Sequence, residues 1–549
     1  MPFSYGWVFG SNGAAFHQRI AVYKVWWTRL YLLDRMITPV STGVPAEMPG
    51  VSWKKYLAIF GLIFASLWLL HLPFLHLPYY WDEAGYFIPA AHDILTNGKL
   101  IPFSTLSNAH PPLVMSFLAL AWKLFGFHHV VTRTAMLLVS AVALLGTFRL
   151  AERVANFPVA VATVLCVAVY PVFFAQSSLA HLDMMVAALT MCALVFYLPG
   201  PRPVRRRVIC VGLLSLAAIT KETAVLLPIT LCGWEMLCHF ARKFPRNSFP
   251  VSVVPDRGLL WSLGLLLALL PLTAWFAYHH AQTGYTFGNP EYVRYNVGAT
   301  LNAARVTGAF TRRAAQVTRH MNLWALTLIG LAALAYRSKR PLNAAHPGGI
   351  EPPVAALFIV LILAHVAALS LVGGAVLARY LLPVFPLLVL LWVSEIWRFT
   401  RYWGFGIAFV CAAFAYRCEV NPLATFTWEE NLAYRDFILL HEDAARFIAR
   451  HEPRARVLTT WPATNELTTP MLGYVNRPVR VFPVEDFKRQ TLEAALLQRA
   501  EFDVALIYST PSGLKFDEVK QLLGGRVIYS EERKGQWIAV LAEKSPLNN

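Results

Sequence analysis

The stretch YLAIFGLIFASLWLLHLPFLHLPYYWDEAGY, residues 56–86, determines how the rest of the chain is interpreted. Its first part, 56–77, is apolar for about the 20 residues that a helix needs to cross a bilayer. Two adjacent carboxylates, Asp82 and Glu83, follow directly. The stretch therefore predicts a membrane-spanning helix that delivers an acidic, aromatic loop to one face of the membrane.

The composition of the whole chain extends this prediction. Of its 549 residues, 57% are hydrophobic and only 14% charged, and the mean hydropathy is +0.49. Ordinary globular proteins carry about 25% charged residues. These values exclude a disordered chain, a fibrous chain and a single soluble domain, and they indicate a polytopic α-helical membrane protein.

Apolar runs predict eleven membrane spans, at 56–77, 130–149, 158–176, 182–199, 208–220, 223–240, 259–278, 321–336, 353–372, 380–397 and 402–416. We interpret 111–127 as an interfacial helix, because most basic clusters between the spans then lie on the cytoplasmic side. The exception is the outer loop 279–320, which carries five arginines. That loop either contacts anionic head groups or marks an error in the topology.

The charge divides the chain into regions. Residues 1–418 hold 32 Lys and Arg against 13 Asp and Glu, whereas residues 419–549 hold 16 against 18. We predict an N-terminal extension of doubtful status (1–50), a membrane domain (51–418) and an extramembrane α/β domain (419–549). The net charge of +17 is explained by basic cytoplasmic loops and anionic lipids, so no nucleic-acid partner is expected.

Few chemistry-bearing residues interrupt the apolar runs, and the predicted topology brings them to the outer face. Ionisable groups near the bilayer usually face a cavity or a partner. Each has an ordinary alternative role, such as a helix cap, a polar anchor, a dipole partner, a hairpin tip or a lipid contact. The candidates are Asp82 and Glu83, His110 of NAHPPL, Asp183 of AHLDMM, Lys221 of ITKETAVLLP, and Arg379 of VLARYLLP.

Other catalytic classes lack their motifs in this sequence. It has no GxxxxGK[ST] phosphate-binding loop, no HExxH zinc motif and no GxSxG nucleophile motif. None of its seven cysteines forms a CxxC pair, so the sequence predicts neither disulfides nor a zinc-thiolate site.

The motifs WDEAGY, HPPL, LDMM, TKET and RYLLP, with Arg133 ahead of the second span, occur in this order. The set resembles the integral-membrane GT-C glycosyltransferases of the dolichyl-phosphate-mannose protein mannosyltransferase type (glycosyltransferase family 39). Bacterial members of that group include the lipid A aminoarabinose transferases. The resemblance covers about residues 52–400.

The resemblance implies an inner-membrane enzyme that moves a sugar from a polyprenyl-phosphate donor to a lipid, glycan or protein acceptor at the outer face. It implies Asp82 as the base, with Glu83 serving the acceptor or local structure. Lys221 and Arg379 would bind the donor phosphate. His110 stands where the aminoarabinose transferases have a lysine, which puts a phosphate role there in doubt. Asp183 is a candidate for the acceptor or for a divalent cation, which the spacing allows but does not require.

Two other functions remain open at this point. A secondary transporter would also place ionisable groups at broken helices, although its site usually lies near the middle of the membrane and its chain usually shows a repeat. A non-catalytic protein that binds a lipid carrier could have the same fold.

Overall fold

A computed structural model describes residues 53–241, 258–296, 302–337, 349–372, 374–399, 402–423, 426–510 and 514–542. The predicted extension 1–50 lies outside the described residues, as do several of the basic loop residues that guided the topology.

Between residues 53 and 419, all the regular secondary structure of the described residues is helical. The α-helices are α1 Trp53–His71, α2 Ile88–Asn97, α3 Leu113–Phe125, α4 His129–Val154, α5 Phe157–Val169, α6 Pro171–Gln176, α7 Leu182–Tyr197, α8 Pro203–Ala218, α9 Leu226–Ala241, α10 Leu259–Gly264, α11 Leu270–Thr283, α12 Pro290–Asn296, α13 Ala303–Gln316, α14 Leu323–Arg337, α15 Pro352–Leu371, α16 Phe385–Phe399 and α17 Trp403–Glu419.

Every predicted span overlaps a helix, but not all of the helices are long. Within the described residues, five helical stretches have the length and apolar character to cross a membrane: Trp53–Phe74, His129–Val154, Glu222–Ala241, Leu259–Thr283 and Pro352–Leu371. The predicted span 158–176 is divided at Pro171, because proline cannot continue the helix that precedes it. The count of eleven spans therefore stays a prediction.

Helix α4 lies at the centre of the bundle, where it packs against α1, α5 and α7. At Gly146 of α4, an added Cβ would lie 2.9 Å from Cβ of Met191 in α7, so glycine permits this close approach. Helix α1 is peripheral, and Leu57, Leu62 and Leu69 are exposed on it. An apolar outer surface of this kind is expected where a helix faces lipid.

Arg305 and Arg313, which belong to the loop 279–320, contact backbone carbonyls of the protein. Arg305 of α13 donates hydrogen bonds to the carbonyl oxygens of Ser370, Leu371 and Val372, at 2.6–2.9 Å. These carbonyls belong to the C-terminal end of α15, where cations are favourable. The structure thus gives Arg305 a helix-capping role, which the sequence analysis did not consider.

The region that follows α17, which we call the tail, is described over 426–510 and 514–542, and these residues form a five-stranded sheet flanked by helices. Its strands are β1 Arg456–Thr459, β2 Arg480–Pro483, β3 Val504–Tyr508, β4 Arg526–Arg533 and β5 Gln536–Ala542, in the order β2-β1-β3-β5-β4. Strand β1 is parallel to β2 and β3, whereas β5 is antiparallel to β3 and β4. Helix α18, Ala433–His451, packs on β4 and β5.

The tail contacts the loop that follows α1. The Tyr79 amide donates to the carbonyl of Leu472 at 3.0 Å, and the Tyr474 hydroxyl donates to the carbonyl of Tyr79 at 3.1 Å. Gly473 lies between these two contacts with a φ of +99°, and a Cβ there would lie 2.7 Å from Nε2 of His129. The sheet region therefore binds the backbone of the acidic loop directly.

Candidate active site

The candidate residues come from chain segments at one end of the helical bundle. Asp82 follows α1, Asp183 lies in the first turn of α7, Lys221 lies between α8 and α9, and Arg379 lies between α15 and α16. The structure brings these four side chains into one connected cluster. Their clustering, which was inferred from topology alone, is observed.

The acidic loop has an unusual backbone. Trp81 adopts a φ of +45°, which costs energy in any residue other than glycine and is often found at functional sites. A π-helical turn, Glu83–Phe87, follows. These features direct the adjacent side chains of Asp82 and Glu83 to two different arginines.

Glu83 and Arg133 form a fully buried ion pair, with Glu83 0% exposed. Arg133 donates to both carboxylate oxygens, and the amides of Tyr80 and Ala180 also donate to them. The same guanidinium donates to the carbonyls of Pro78 and Ser178 at 3.0 and 3.1 Å. The Glu83 carboxylate thus binds three chain segments together and presents no surface to a substrate.

Asp82 binds Arg379, and its side chain is 33% exposed. Arg379 is buried and has two further carboxylate neighbours. Its Nη1 lies 3.1 Å from Oε2 of Glu429, and its Nε lies 3.6 Å from Oδ2 of Asp183. Nη1 also lies 2.7 Å from Nδ1 of His181. Asp82 is therefore the accessible carboxylate of this cluster, whereas Asp183 and Glu429 are buried.

Lys221 provides the second cation of the cluster. Its Nζ lies 2.6 Å from Oδ1 of Asp183 and 3.8 Å from the centre of the Tyr380 ring. Asp183 therefore links Lys221 to Arg379. The two cations that the sequence analysis assigned to a donor phosphate are joined by one buried carboxylate.

Glu429 was missed by the sequence analysis, although it contacts the centre of the site. It comes from the tail, in a short 3₁₀ turn Trp428–Glu430. Burial, with Asp82 and Asp183 nearby, raises the pKa of Glu429 to about 8 in spite of the opposing charge of Arg379. When Glu429 is protonated, two carboxylates face two cations. The sequence signal that existed was the capping box Thr427–Glu430, which predicts a turn but no site.

His110 lies beside the cluster and pairs with another residue. Its Nδ1 is 3.0 Å from Oε2 of Glu222, the residue that follows Lys221. Its ring is surrounded by the rings of Tyr86, Phe87 and Tyr292, at centroid distances of 5.4–6.1 Å. The phosphate-binding role of His110 stays a prediction.

The described residues contain no group of three His, Cys, Asp or Glu side chains that could hold a metal ion. The reason at this site is geometric. Asp82, Asp183 and Glu429 converge on the guanidinium of Arg379, which occupies the position between them. A divalent cation at Asp82 or Asp183 stays a hypothesis.

Comparison with known proteins adds independent findings. Residues 109–254 match the family model of dolichyl-phosphate-mannose-protein mannosyltransferases. A search of curated proteins found no match. Two crystal structures of ArnT from Cupriavidus metallidurans, one bound to undecaprenyl phosphate and one in the apo state, are similar to this chain. Their TM-scores are 0.53 and 0.52, at sequence identities of 15% and 14%. Each comparison covers 89% of this chain and 98% of the ArnT chain.

The ArnT comparison concerns the fold, and the family model concerns the segment that holds HPPL, Arg133, LDMM and TKET. The predicted resemblance is thus confirmed: the chain has the fold of ArnT, and its residues 109–254 match the family model of dolichyl-phosphate-mannose-protein mannosyltransferases.

Proposed function

We propose that this protein is a membrane glycosyltransferase that moves a sugar from a polyprenyl-phosphate donor to a lipid, glycan or protein acceptor. One observation carries the proposal. Asp82 is a partly exposed carboxylate, and it contacts a buried arginine that is linked through Asp183 to Lys221. A base beside two cations suits the attack of a hydroxyl on a sugar whose leaving group is a phosphate.

The reaction assigns a role to each charge. Asp82 accepts the proton of the acceptor hydroxyl while the oxygen of that hydroxyl bonds to the anomeric carbon of the donor. The bond from that carbon to the phosphate oxygen breaks, and the configuration inverts. The polyprenyl phosphate leaves with the bonding electrons, and Arg379 and Lys221 stabilise the charge that develops on it.

Donor binding must also change the contacts of Arg379. In the structure described here, its guanidinium is bound by Asp82 and by Glu429. A donor phosphate competes for the same N–H groups, since arginine binds phosphate oxygens through paired hydrogen bonds. Its arrival frees Asp82 to act as a base. Glu83 has no chemical step in this scheme, and its pair with Arg133 positions the loop.

The proposal includes the finer predictions about location. We propose eleven spans, an inner-membrane location, and an outer face that holds both the site and the tail domain of 419–549. The helix ends that carry Asp82, Asp183 and Arg379 support a single site at one end of the bundle. The sugar is a hexose or a pentose, which the experiment below identifies.

The test is transfer of radiolabelled sugar from a panel of polyprenyl-phosphate sugars in native membranes with an acceptor extract. We expect Asp82→Asn to reduce transfer by about 10²- to 10⁴-fold, the usual contribution of a general base. Asp443→Asn is the matched control. Asp443 pairs with Arg446 and Arg533 in the tail, and its side chain is 30% exposed, close to the exposure of Asp82.

Three outcomes would contradict the proposal. Equal transfer by wild type and Asp82→Asn would remove Asp82 from the mechanism. Donor binding without transfer in the wild type would favour the non-catalytic lipid-carrier protein. Uptake of a solute against a gradient, with no transfer from any donor, would favour the transporter.

A further inference from the structure

A tryptophan of the tail lies against the turn that carries Asp82. Trp461 directly follows the short link after β1, and its ring centroid is 4.9 Å from that of Trp81 at an interplanar angle of 78°. Trp81 is the residue immediately before Asp82. The tail thus adds an aromatic side chain to the turn that carries the accessible carboxylate of the site.

Trp461 is unusually exposed for its position. It is 39% exposed, more than any other Phe, Trp or Tyr in the described tail segments 426–510 and 514–542. Exposed aromatic residues on the helical bundle are explained by contact with lipid. Trp461 belongs to the sheet region, where a large apolar side chain left open needs another explanation.

The ring of Trp461 is held rigidly. Trp81 lies between it and Phe437, whose ring is 5.6 Å from that of Trp81, so three rings form a continuous row. The Tyr508 hydroxyl fixes the backbone by donating to the carbonyl of Trp461 at 2.9 Å. A rigid aromatic side chain binds a ligand without a large cost in conformational entropy.

The backbone of the acidic loop is shaped to accept this ring. A Cβ added at Gly85 would lie 2.8 Å from Cζ2 and 2.9 Å from Nε1 of Trp461, so any other residue would push the indole away. Trp81 holds its strained φ of +45° at the same contact. The indole therefore has one fixed position relative to the turn that begins at Asp82.

We propose that Trp81 and Trp461 form a platform on which a saccharide ring stacks next to Asp82. The C–H face of a sugar is apolar and packs on an aromatic ring, while its hydroxyl edge remains free to reach polar groups. This inference rests on the proposed glycosyl transfer and adds that a sugar ring is recognised by the tail. The ring belongs either to the donor or to a glycan acceptor, and the test separates the two.

The experiment measures KM for the donor and for the acceptor that support transfer, in full-length protein. Trp461→Ala should raise one of the two KM values about 5- to 10-fold, the effect of losing a well-packed aromatic contact. Trp461→Phe, which keeps a ring, should restore most of the affinity. Gly85→Ala should raise the same KM by a similar factor, because the added Cβ displaces the indole although every aromatic residue is still present. Trp324→Ala, which removes a tryptophan 43% exposed elsewhere, should change neither KM.

A rise in the acceptor KM alone assigns the platform to a glycan acceptor, and a rise in the donor KM alone assigns it to the donor sugar. Unchanged KM values would overturn the inference, as would a fall in thermal stability and kcat with both KM values intact, because that pattern is structural. Asp82→Asn, assayed in parallel, keeps the two proposals distinguishable. If that variant loses transfer while Trp461→Ala binds both substrates normally, the glycosyl transfer stands and the platform does not.

Discussion

Asp82 and Glu83 are adjacent in the sequence, yet they are bound in two different environments. Glu83 is fully buried with Arg133, and two backbone amides also donate to its carboxylate. Asp82 binds the buried Arg379, but a third of the Asp82 side chain is exposed to solvent. The residue type therefore does not separate Glu83, which positions the loop, from Asp82, the proposed base. The two carboxylates differ in their burial and in the number of hydrogen-bond donors around them.

The two arginines differ in the same way. Around Arg133, the other partners are backbone carbonyls of fixed geometry. Around Arg379, they are ionisable side chains from two further segments, the start of α7 and the tail. A phosphate can displace a side chain, but it cannot displace the backbone without unfolding the loop.

The largest effect is expected from Glu83→Gln. The change leaves Arg133 charged and buried without its counter-ion, which costs about 3–5 kcal/mol in the free energy of unfolding. Denaturant-induced unfolding in detergent measures it. Asp82→Asn is the matched control, because its site is partly open to water. Unfolding of Glu83→Gln at the wild-type midpoint would show that the two carboxylates are equivalent.

A smaller effect should come from the conservative change Arg379→Lys. Lysine keeps the charge but cannot reach Asp82 and Glu429 together through a planar group. Loss of one charge-assisted hydrogen bond to the donor lowers kcat/KM about 10- to 100-fold.

Arg133→Lys is the paired control for this prediction. It should lower the yield of folded protein while the turnover number of the folded fraction stays at the wild-type value. If the two substitutions gave the same profile, the distinction between a structural and a catalytic arginine would fail.

The smallest effect concerns pH. Burial raises the pKa of Glu429 from its ordinary 4.5 to about 8. Between pH 4.5 and pH 8, the folded protein therefore keeps a proton on Glu429 that the unfolded chain releases. The stability should therefore fall as the pH rises from 5 to 8. Glu429→Gln cannot ionise, so its thermal midpoint should fall less over the same range. Identical slopes for the two proteins would remove Glu429 as the cause.

Much of the site could be predicted from the sequence because charges are scarce in an apolar body. Asp82, Asp183, Lys221 and Arg379 stood out against their surroundings, and the order of helix ends brought them to one side. The separation of Asp82 and Glu83 follows from their adjacency, since neighbouring side chains on a helix point about 100° apart. Their individual partners depend on tertiary packing and could not be predicted.

The site residues that the tail contributes could not be predicted from the sequence, for a different reason. In a segment rich in charge, Glu429 stands next to a second glutamate, and Trp461 is a single tryptophan with no periodic pattern around it. Each acquires its role from a contact with a residue far away in the sequence, with Arg379 or with Trp81. Their position follows from how the sheet region docks on the bundle, and local periodicity carries no information about that.

The bonds between Tyr79 and the tail have a consequence for the synthesis of the protein. Both backbone groups of Tyr79, three residues before the proposed base, are satisfied by Leu472 and Tyr474, almost 400 residues later. While the ribosome is still making the helices, the backbone of Tyr79 lacks the two partners that the tail supplies. The nascent chain can therefore insert in the membrane before the proposed reaction centre is complete, because Glu429, Leu472 and Tyr474 lie in the last quarter of the polypeptide.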